Sequence, residues 1–328
     1  MQTIQRVAYT LGVFALGASA VFAAVPQGAQ APAPAQQAPS AAQQQPPDPA
    51  ADALRAGQQL MRDGKADEAL SAYLKAVEQF PTAVSARIRV GQQLDLMGRY
   101  GEARTHFEKA LAMPLTPAQE ATALRSMAMA YAFESNCKGA LPYESRLYER
   151  YLTKDKDFYM AGEIANELAR VCLESGDFAT AEAWYKRGHD AGLQEPNISA
   201  ARKDLWEFRW QHAQARLAAR RGDKALAAKH VAAAKAALDT GTNPDQAPFF
   251  PYLVGYVAFY GGDYKAALAE FAKGNQNDPF VLSLIAQSHE KLGDQAAAME
   301  HYKKVMTFTT HNPNNAFARP LARKKLGL

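Results

Sequence analysis

The stretch DGKADEALSAYLKAVEQFP, residues 63–81, is followed by a similar stretch, MGRYGEARTHFEKALAMP, residues 97–114. Matching positions in the two stretches lie 34 residues apart: Gly64 and Gly98, Ala69 and Ala103, Tyr73 and Phe107, and Ala76 and Ala110. A fixed spacing of this size indicates that one structural unit is repeated along the chain.

The signature Gly-x-x-x-x-Ala continues beyond these two stretches. Apolar or small residues at helical spacing precede each glycine, and glycine suits the left-handed conformation that ends a helix. Small, large and small residues at i, i+4 and i+7 then lie on one face of a second helix. We therefore predict a helix pair at each signature, including one with serine as its first residue: Gly64/Ala69, Gly98/Ala103, Ser135/Ala140, Gly176/Ala181, Gly222/Ala227, Gly262/Ala267 and Gly293/Ala298.

This unit resembles the tetratricopeptide repeat (TPR), a helix-turn-helix of about 34 residues. The resemblance covers about residues 51–308 and implies an all-α fold, a right-handed α-solenoid of about seven TPR-like repeats. The third unit departs from the pattern because it has Glu144 where an aromatic residue is expected. Residues 309–328 are predicted to form a C-terminal capping helix that begins or bends at Pro320.

Two segments precede the repeats. Residues 1–23 have one charge, at Arg6, followed by an apolar run and small residues, which predicts a secretory signal peptide cleaved near Ala23. The alternative is an uncleaved helix that anchors the protein in a membrane. Residues 24–50 are rich in Ala, Pro and Gln and are predicted to be a disordered linker. We therefore expect a periplasmic or secreted protein with no membrane span after cleavage.

Composition and motifs argue against two functional classes. The formal net charge is only +4 and the basic residues are spread along the chain, which does not favour a dedicated nucleic-acid-binding protein. The pair His289 and Glu290 lacks the second histidine of a zinc-peptidase motif, and the chain has no phosphate-binding loop or nucleophile elbow. The sequence therefore predicts no enzyme, no cofactor and no metal site.

Cys137 and Cys172 are the only cysteines. In the repeat register they lie at the same end of the stack, in units three and four, so a disulfide is geometrically conceivable. An exported protein would meet an oxidising compartment, in which a disulfide can form. The alternative is that both are small buried apolar residues.

In the TPR family, the first helix of each repeat lines the concave surface that binds peptides. The resemblance therefore implies a partner-binding surface in units four to six. Arginines beside aromatic rings favour an acidic-aromatic peptide, because guanidinium groups bind carboxylates and rings bury much area. In the alternative interpretation, the tyrosines belong to the core and the arginines to a solvated face. The predicted surface comprises Asn166, Arg170, Arg209, His212, Arg216, Arg220, Tyr252, Tyr256 and Tyr260.

These features together predict a non-catalytic protein-protein interaction scaffold of the periplasm or cell envelope. Its binding site would be the surface formed by the first helices of the repeats. The alternative function is an accessory subunit of an envelope enzyme or export machine that positions a substrate chain.

Overall fold

The computed structural model describes residues 48–328. The predicted signal peptide and residues 24–47 of the predicted linker lie outside the described residues.

Over the described range the chain forms fifteen α-helices and no β-strand. The first fourteen helices form seven consecutive pairs, in which we call the first member the A helix and the second the B helix. The all-α repeat architecture predicted from the sequence is confirmed. The helices are α1 Ala51–Arg62, α2 Ala66–Gln79, α3 Val84–Leu96, α4 Tyr100–Leu111, α5 Pro117–Phe133, α6 Cys137–Glu149, α7 Phe158–Ser175, α8 Phe178–Gly192, α9 Ala200–Arg220, α10 Lys224–Asp239, α11 Phe250–Tyr260, α12 Tyr264–Phe271, α13 Pro279–Lys291, α14 Gln295–Met306 and α15 Pro313–Leu326.

Two shorter segments supplement these helices. A π-helical segment, Arg150–Asp155, extends α6, and a 3-10 helix, Pro244–Phe249, leads into α11. The second of these segments contributes to the candidate site described below.

The turn between the A and B helices uses a left-handed residue in every unit. All six signature glycines have positive φ, and Ser135 takes the same conformation with φ 53°. The residue before four of the B helices is an aspartate whose side chain accepts a hydrogen bond from a backbone N–H three residues on, as at Asp223 and Leu226 (2.9 Å). Glycine or serine thus ends each A helix, and in these four units an aspartate caps the start of the B helix.

The small and large positions of the repeat pack against each other. In unit two, a Cβ atom on Gly91 of α3 would overlap the ring of Phe107 from α4. The same relation joins Gly57 to Tyr73 in unit one. The absence of a side chain on the A helix therefore makes room for the B-helix ring, and the two helices approach closely.

The C-terminal helix α15 packs against α13 and α14, in the position predicted for a cap. It begins at Pro313, after the N-cap residue Asn312, and Pro320 lies inside it. Of the two predicted alternatives, a helix that begins at Pro320 is therefore wrong. Proline at the first helical position needs no N–H partner, which explains why the helix begins at Pro313.

The same C-terminal segment also returns to the beginning of the stack. Helix α15 packs on α5, and Arg319 Nε donates a hydrogen bond of 2.7 Å to the carbonyl oxygen of Leu96 at the end of α3. Residues 309–315, which we call the crossing segment, lead from α14 into this helix. Within it, His311 Nε2 donates to Asp95 Oδ2 at 2.7 Å, and both side chains are almost fully buried. The C-terminal segment that follows unit seven therefore contacts unit two directly.

Cys137 and Cys172 form a disulfide in the structure, with Cα atoms 4.6 Å apart. The bond connects the start of α6 to the last turns of α7, and so links units three and four. Between residues 48 and 328, the helices are all too short or too polar to cross a membrane.

Candidate functional site

A cavity of about 420 Å³ lies on the side of the stack formed by the A helices of units four to seven. Helices α7 and α9 supply the largest share of its wall, and further parts come from Tyr185 of α8, the segment before α11, Tyr252 of α11 and residues around the start of α13. Pro313 and Asn314 of the crossing segment close one side. We call this space the A-helix cavity.

Six of the nine residues predicted for partner binding line the A-helix cavity. They come from three A helices, which the resemblance to the family implied would line the concave surface. These residues are Asn166, Arg170, Arg209, His212, Arg216 and Tyr252.

The other three predicted residues lie outside the cavity and form a separate cluster around Glu174. Arg220 forms an ion pair with Glu174 at 2.7 Å, and the Tyr256 hydroxyl donates a hydrogen bond of 2.9 Å to the same carboxylate. The ring of Tyr260 lies 4.6 Å from that of Tyr256. Because Tyr256 is 0% exposed, it belongs to the core, as the alternative interpretation proposed.

Three carboxylates also line the A-helix cavity, and each has a partner. Glu163 pairs with Arg209, and Glu167 pairs with Arg125 on α5. Asp278 caps α13 by accepting a hydrogen bond of 2.8 Å from the Phe280 backbone N–H, and it also accepts one of 2.7 Å from the Asn314 side chain. These acidic groups are therefore engaged in holding the cavity wall together.

The cavity wall also contains buried polar groups. Burial, followed by the guanidinium groups of Arg216 and Arg170, lowers the pKa of His212 well below its usual value, so the imidazole is neutral at neutral pH. Burial raises the pKa of Tyr185 and of Tyr252, so both hydroxyl groups keep their protons. The lining thus offers neutral donors beside fixed positive charges.

Tyr185 and the crossing segment are parts of the site that sequence reasoning missed. Tyr185 occupies the large position of the B-helix pattern, four residues after Ala181, so its position could have been read from the repeat. Its hydroxyl lies at the cavity wall rather than within a purely apolar core. No comparable sequence pattern indicated Asn314. This residue reaches the cavity because the segment after the repeats returns along the stack.

A second recess, of about 440 Å³, lies on the other side of the crossing segment. It is bordered by α5 and α7, with Arg125 and Met129 among its lining residues. Pro313 and Glu167 line both spaces, so the crossing segment separates the A-helix side of the stack into two compartments. In residues 48–328, no three His, Cys, Asp or Glu side chains are placed to hold one metal ion.

Three solved structures to which this chain is similar are distant from it in sequence. A tetratricopeptide repeat protein from Parabacteroides merdae ATCC 43184 is 13% identical, with a TM-score of 0.45, over 83% of this chain and 98% of that chain. A chain of the APC/C hetero-tetramer Cut9-Hcn1 is 17% identical, with a TM-score of 0.40, over 82% of this chain and 48% of that one. PilW, a widely conserved type IV pilus biogenesis factor, is 16% identical, with a TM-score of 0.32, over 78% of this chain and 91% of that one. No curated protein sequence matches this chain.

Family models match both ends of the repeat region. A tetratricopeptide repeat model matches residues 54–120 and 127–193, and a second tetratricopeptide repeat model matches residues 281–309. Between these matches, the helix pairs α9/α10 and α11/α12 continue the same arrangement. The chain is a tetratricopeptide repeat protein.

Proposed function

We propose that this protein is a non-catalytic scaffold of the periplasm or cell envelope, which binds a peptide segment of a partner protein in the A-helix cavity. Protein-protein interaction is the general role that the repeats support. The observation that carries the finer proposal is the cavity of about 420 Å³ on the A-helix side, lined by aromatic and charged side chains. Concave sites with mostly apolar walls and a few placed polar groups are typical of ligand binding.

The rim of the cavity supports this proposal. Phe249 lines the cavity and is 50% exposed, so half of this large apolar side chain faces solvent. Exposed aromatic residues at the edge of a cavity are common anchors for a partner. The crossing segment bounds the site on one side. The site therefore favours a short partner peptide over a long partner helix that follows the whole stack.

Site-specific photo-crosslinking in intact cells tests the proposal. A photoreactive amino acid at Phe249 is expected to give adducts with a partner protein. The matched control is Leu292, which is 42% exposed and lies at the A-to-B turn of unit seven, away from the cavity. Adducts of equal yield at both positions, or adducts only at Leu292, would place the binding surface elsewhere.

The proposed location rests on the N-terminal sequence and needs its own experiment. Cell fractionation is expected to recover the protein in the periplasmic or envelope fraction, with a mature N-terminus at Ala24. Recovery of the intact chain with Met1 from the membrane would instead support the uncleaved anchor.

A further inference from the structure

The positive and negative charges of the A-helix cavity are unevenly paired. Glu163 and Glu167 are in ion pairs and Asp278 accepts hydrogen bonds from neutral groups, but two of the three arginines are in no ion pair. Neither Arg170 nor Arg216 forms an ion pair within the described residues, whereas Arg209 pairs with Glu163. Because a guanidinium group stays protonated in proteins, Arg170 and Arg216 bring two unpaired positive charges against the one unpaired carboxylate of Asp278, which leaves a surplus of one positive charge in this space.

Arg216 is the more deeply placed of the two. Its side chain is only 7% exposed, and its one protein hydrogen bond runs from Nε to the carbonyl oxygen of His212 at 3.4 Å. Its guanidinium carbon lies 5.5 Å from the centre of the Tyr185 ring. Buried charges in proteins are normally paired or fully hydrogen-bonded, so this arrangement is costly without a further partner.

Arg170 is held in place by aromatic rings. Its guanidinium carbon lies 5.3 Å from the ring centres of Phe280 and Phe317, and its Nε atom has no hydrogen-bond partner. Contacts with two rings fix the orientation of the planar group and leave its hydrogen-bonding edge unused.

Two tyrosine hydroxyl groups complete the set of unused donors. The hydroxyls of Tyr185 and Tyr252 are buried and have no hydrogen-bond partner, and both residues line the A-helix cavity. Tyr185 is 2% exposed. Buried polar groups without partners are rare in native proteins, and several of them around one space indicate that a polar ligand satisfies them.

We infer that the A-helix cavity binds one carboxylate group of the partner peptide, held by Arg170 and Arg216 with hydrogen bonds from the Tyr185 and Tyr252 hydroxyls. This inference rests on the proposed function and names the chemistry of the ligand. A carboxylate matches the paired N–H groups of a guanidinium. A phosphate group is disfavoured because it carries nearly two negative charges, and Glu163, Glu167 and Asp278 line the same cavity.

The carboxylate can belong to an acidic side chain or to a chain terminus, and both sources share this chemistry. The aromatic side chains around the arginines favour a ligand that has an apolar group next to its carboxylate. Benzoate is therefore a suitable probe, and benzamide, which has the same shape without the charge, is its control.

The experiment follows the guanidinium NMR signals of the full-length protein during titration with each probe. Benzoate is expected to give saturable shifts, and benzamide and inorganic phosphate weaker ones. Arg170→Gln and Arg216→Gln are each expected to weaken benzoate binding about tenfold or more. The matched control is Arg221→Gln, near Arg216 on the sequence, because Arg221 pairs with Glu182 at 2.8 Å on the surface and should leave binding unchanged.

Circular dichroism checks that each variant keeps its helical fold. Arg170→Lys provides a second variant, since it keeps the charge and loses the paired N–H geometry, and it should also bind benzoate more weakly. Equal binding of benzoate and benzamide, unchanged binding in the folded Arg170→Gln protein, or tighter binding of phosphate would overturn the inference.

Two dipeptide probes then distinguish the sources of the carboxylate. N-acetyl-glutamyl-phenylalaninamide carries it on a side chain, and N-acetyl-glutaminyl-phenylalanine carries it at the chain end. Tighter binding of either one over the doubly neutral dipeptide supports the inference and identifies the source. Crosslinking at Phe249 tests partner binding without reference to these titrations. Adducts at Phe249 together with no binding of benzoate would therefore contradict the carboxylate inference and leave the proposed function supported.

Discussion

Glu144 places an ionisable group where units one and two have Tyr73 and Phe107. Its side chain is 0% exposed, and neither carboxyl oxygen has a hydrogen-bond partner. Burial first, and then the negative charge of Glu167, raise the pKa of the Glu144 carboxyl well above its usual value. The group is thus protonated in the folded protein over a range of pH in which it ionises after unfolding.

Glu144→Gln is expected to stabilise the protein at neutral pH. Below the unfolded pKa of about 4.3, both states hold the proton and the carboxyl carries no penalty. Above that pH, only the unfolded state ionises, so the wild-type free energy of unfolding loses up to about 1.4 kcal/mol per pH unit until the folded pKa is reached. The neutral amide removes this loss.

Urea unfolding between about pH 4 and pH 7 measures the difference between wild type and Glu144→Gln. The difference should grow with pH. Glu78→Gln, which changes an exposed glutamate on α2, is the control and should show no such growth. A constant difference across the pH range would mean that Glu144 ionises normally in the folded state.

Gly91→Ala is expected to destabilise the protein by about 1–3 kcal/mol, because the added methyl group overlaps the Phe107 ring and the core is already filled. Gly101→Ala, in the same unit, is the matched control. Gly101 is exposed on α4, and a Cβ atom there meets only Arg104 Nη2, at 3.9 Å, so alanine should stabilise the helix by up to about 1 kcal/mol. Equal effects in thermal unfolding would argue against close packing of the α3 and α4 backbones.

The residue scale also shows why the repeat could be read from the sequence. The positive φ at Ser135 occurs where the register required a turn residue, even though the residue is not glycine. Turn residues and small-large pairs are local requirements, so each leaves a mark at a fixed spacing.

At the scale of helices, the disulfide between α6 and α7 adds a covalent link across two units. Its cysteines are 35 residues apart, and closing a loop of this size is worth about 2–4 kcal/mol. Reduction, or replacement of Cys137 and Cys172 together by alanine, is therefore expected to lower the free energy of unfolding by that amount.

Thermal unfolding with and without dithiothreitol tests this effect. Wild type should lose stability in the reductant, and the double alanine variant should be insensitive to it. A wild-type protein whose stability is unchanged by the reductant would indicate that the two thiols are unpaired.

The candidate site was only partly predictable at this scale. The repeat register assigned Arg170 on α7 and Arg216 on α9 to the concave face, and both line the A-helix cavity. Helix α11 shows the limit of this reasoning, because an A helix presents one side to the cavity and another to the core. Tyr252 lies at the cavity wall and Tyr256 is buried, although both are tyrosines at helical spacing. Their rotation about the helix axis depends on neighbours from other units.

At the scale of the whole molecule, the pair His311 and Asp95 joins residues 216 positions apart. A contact between segments so distant leaves no periodic trace, which is why the sequence predicted a cap and not the return to unit two. The prediction of a linear stack with a terminal helix was therefore incomplete.

His311→Ala is expected to lower the free energy of unfolding by about 3 kcal/mol or more, since it leaves the Asp95 carboxylate buried without its partner. Hydrogen exchange should also become faster at the end of α3 and the following turn, where Arg319 and His311 make their contacts.

The control for this prediction is His230→Ala on α10. His230 Nδ1 lies 2.6 Å from Gln211 Oε1, but the residue is partly exposed and takes no part in the hydrogen bonds between the C-terminal segment and α3. A smaller loss of stability is expected there, with no change in exchange near Asp95. Unaltered exchange around Asp95 in His311→Ala would show that the crossing segment does not hold α3.

In a stack of repeats that contact only their neighbours, a pull on the two ends is transmitted through every repeat in turn, so each unit carries the same load. Here the end of α15 lies beside unit two, where Arg323 Nε would be 3.0 Å from a Cβ atom on Gly98. A pull between the two ends of residues 48–328 therefore acts first on units one to three and on the contacts that hold α15 against them. Units four to seven, whose A helices form the cavity, lie outside this path until that helix is detached.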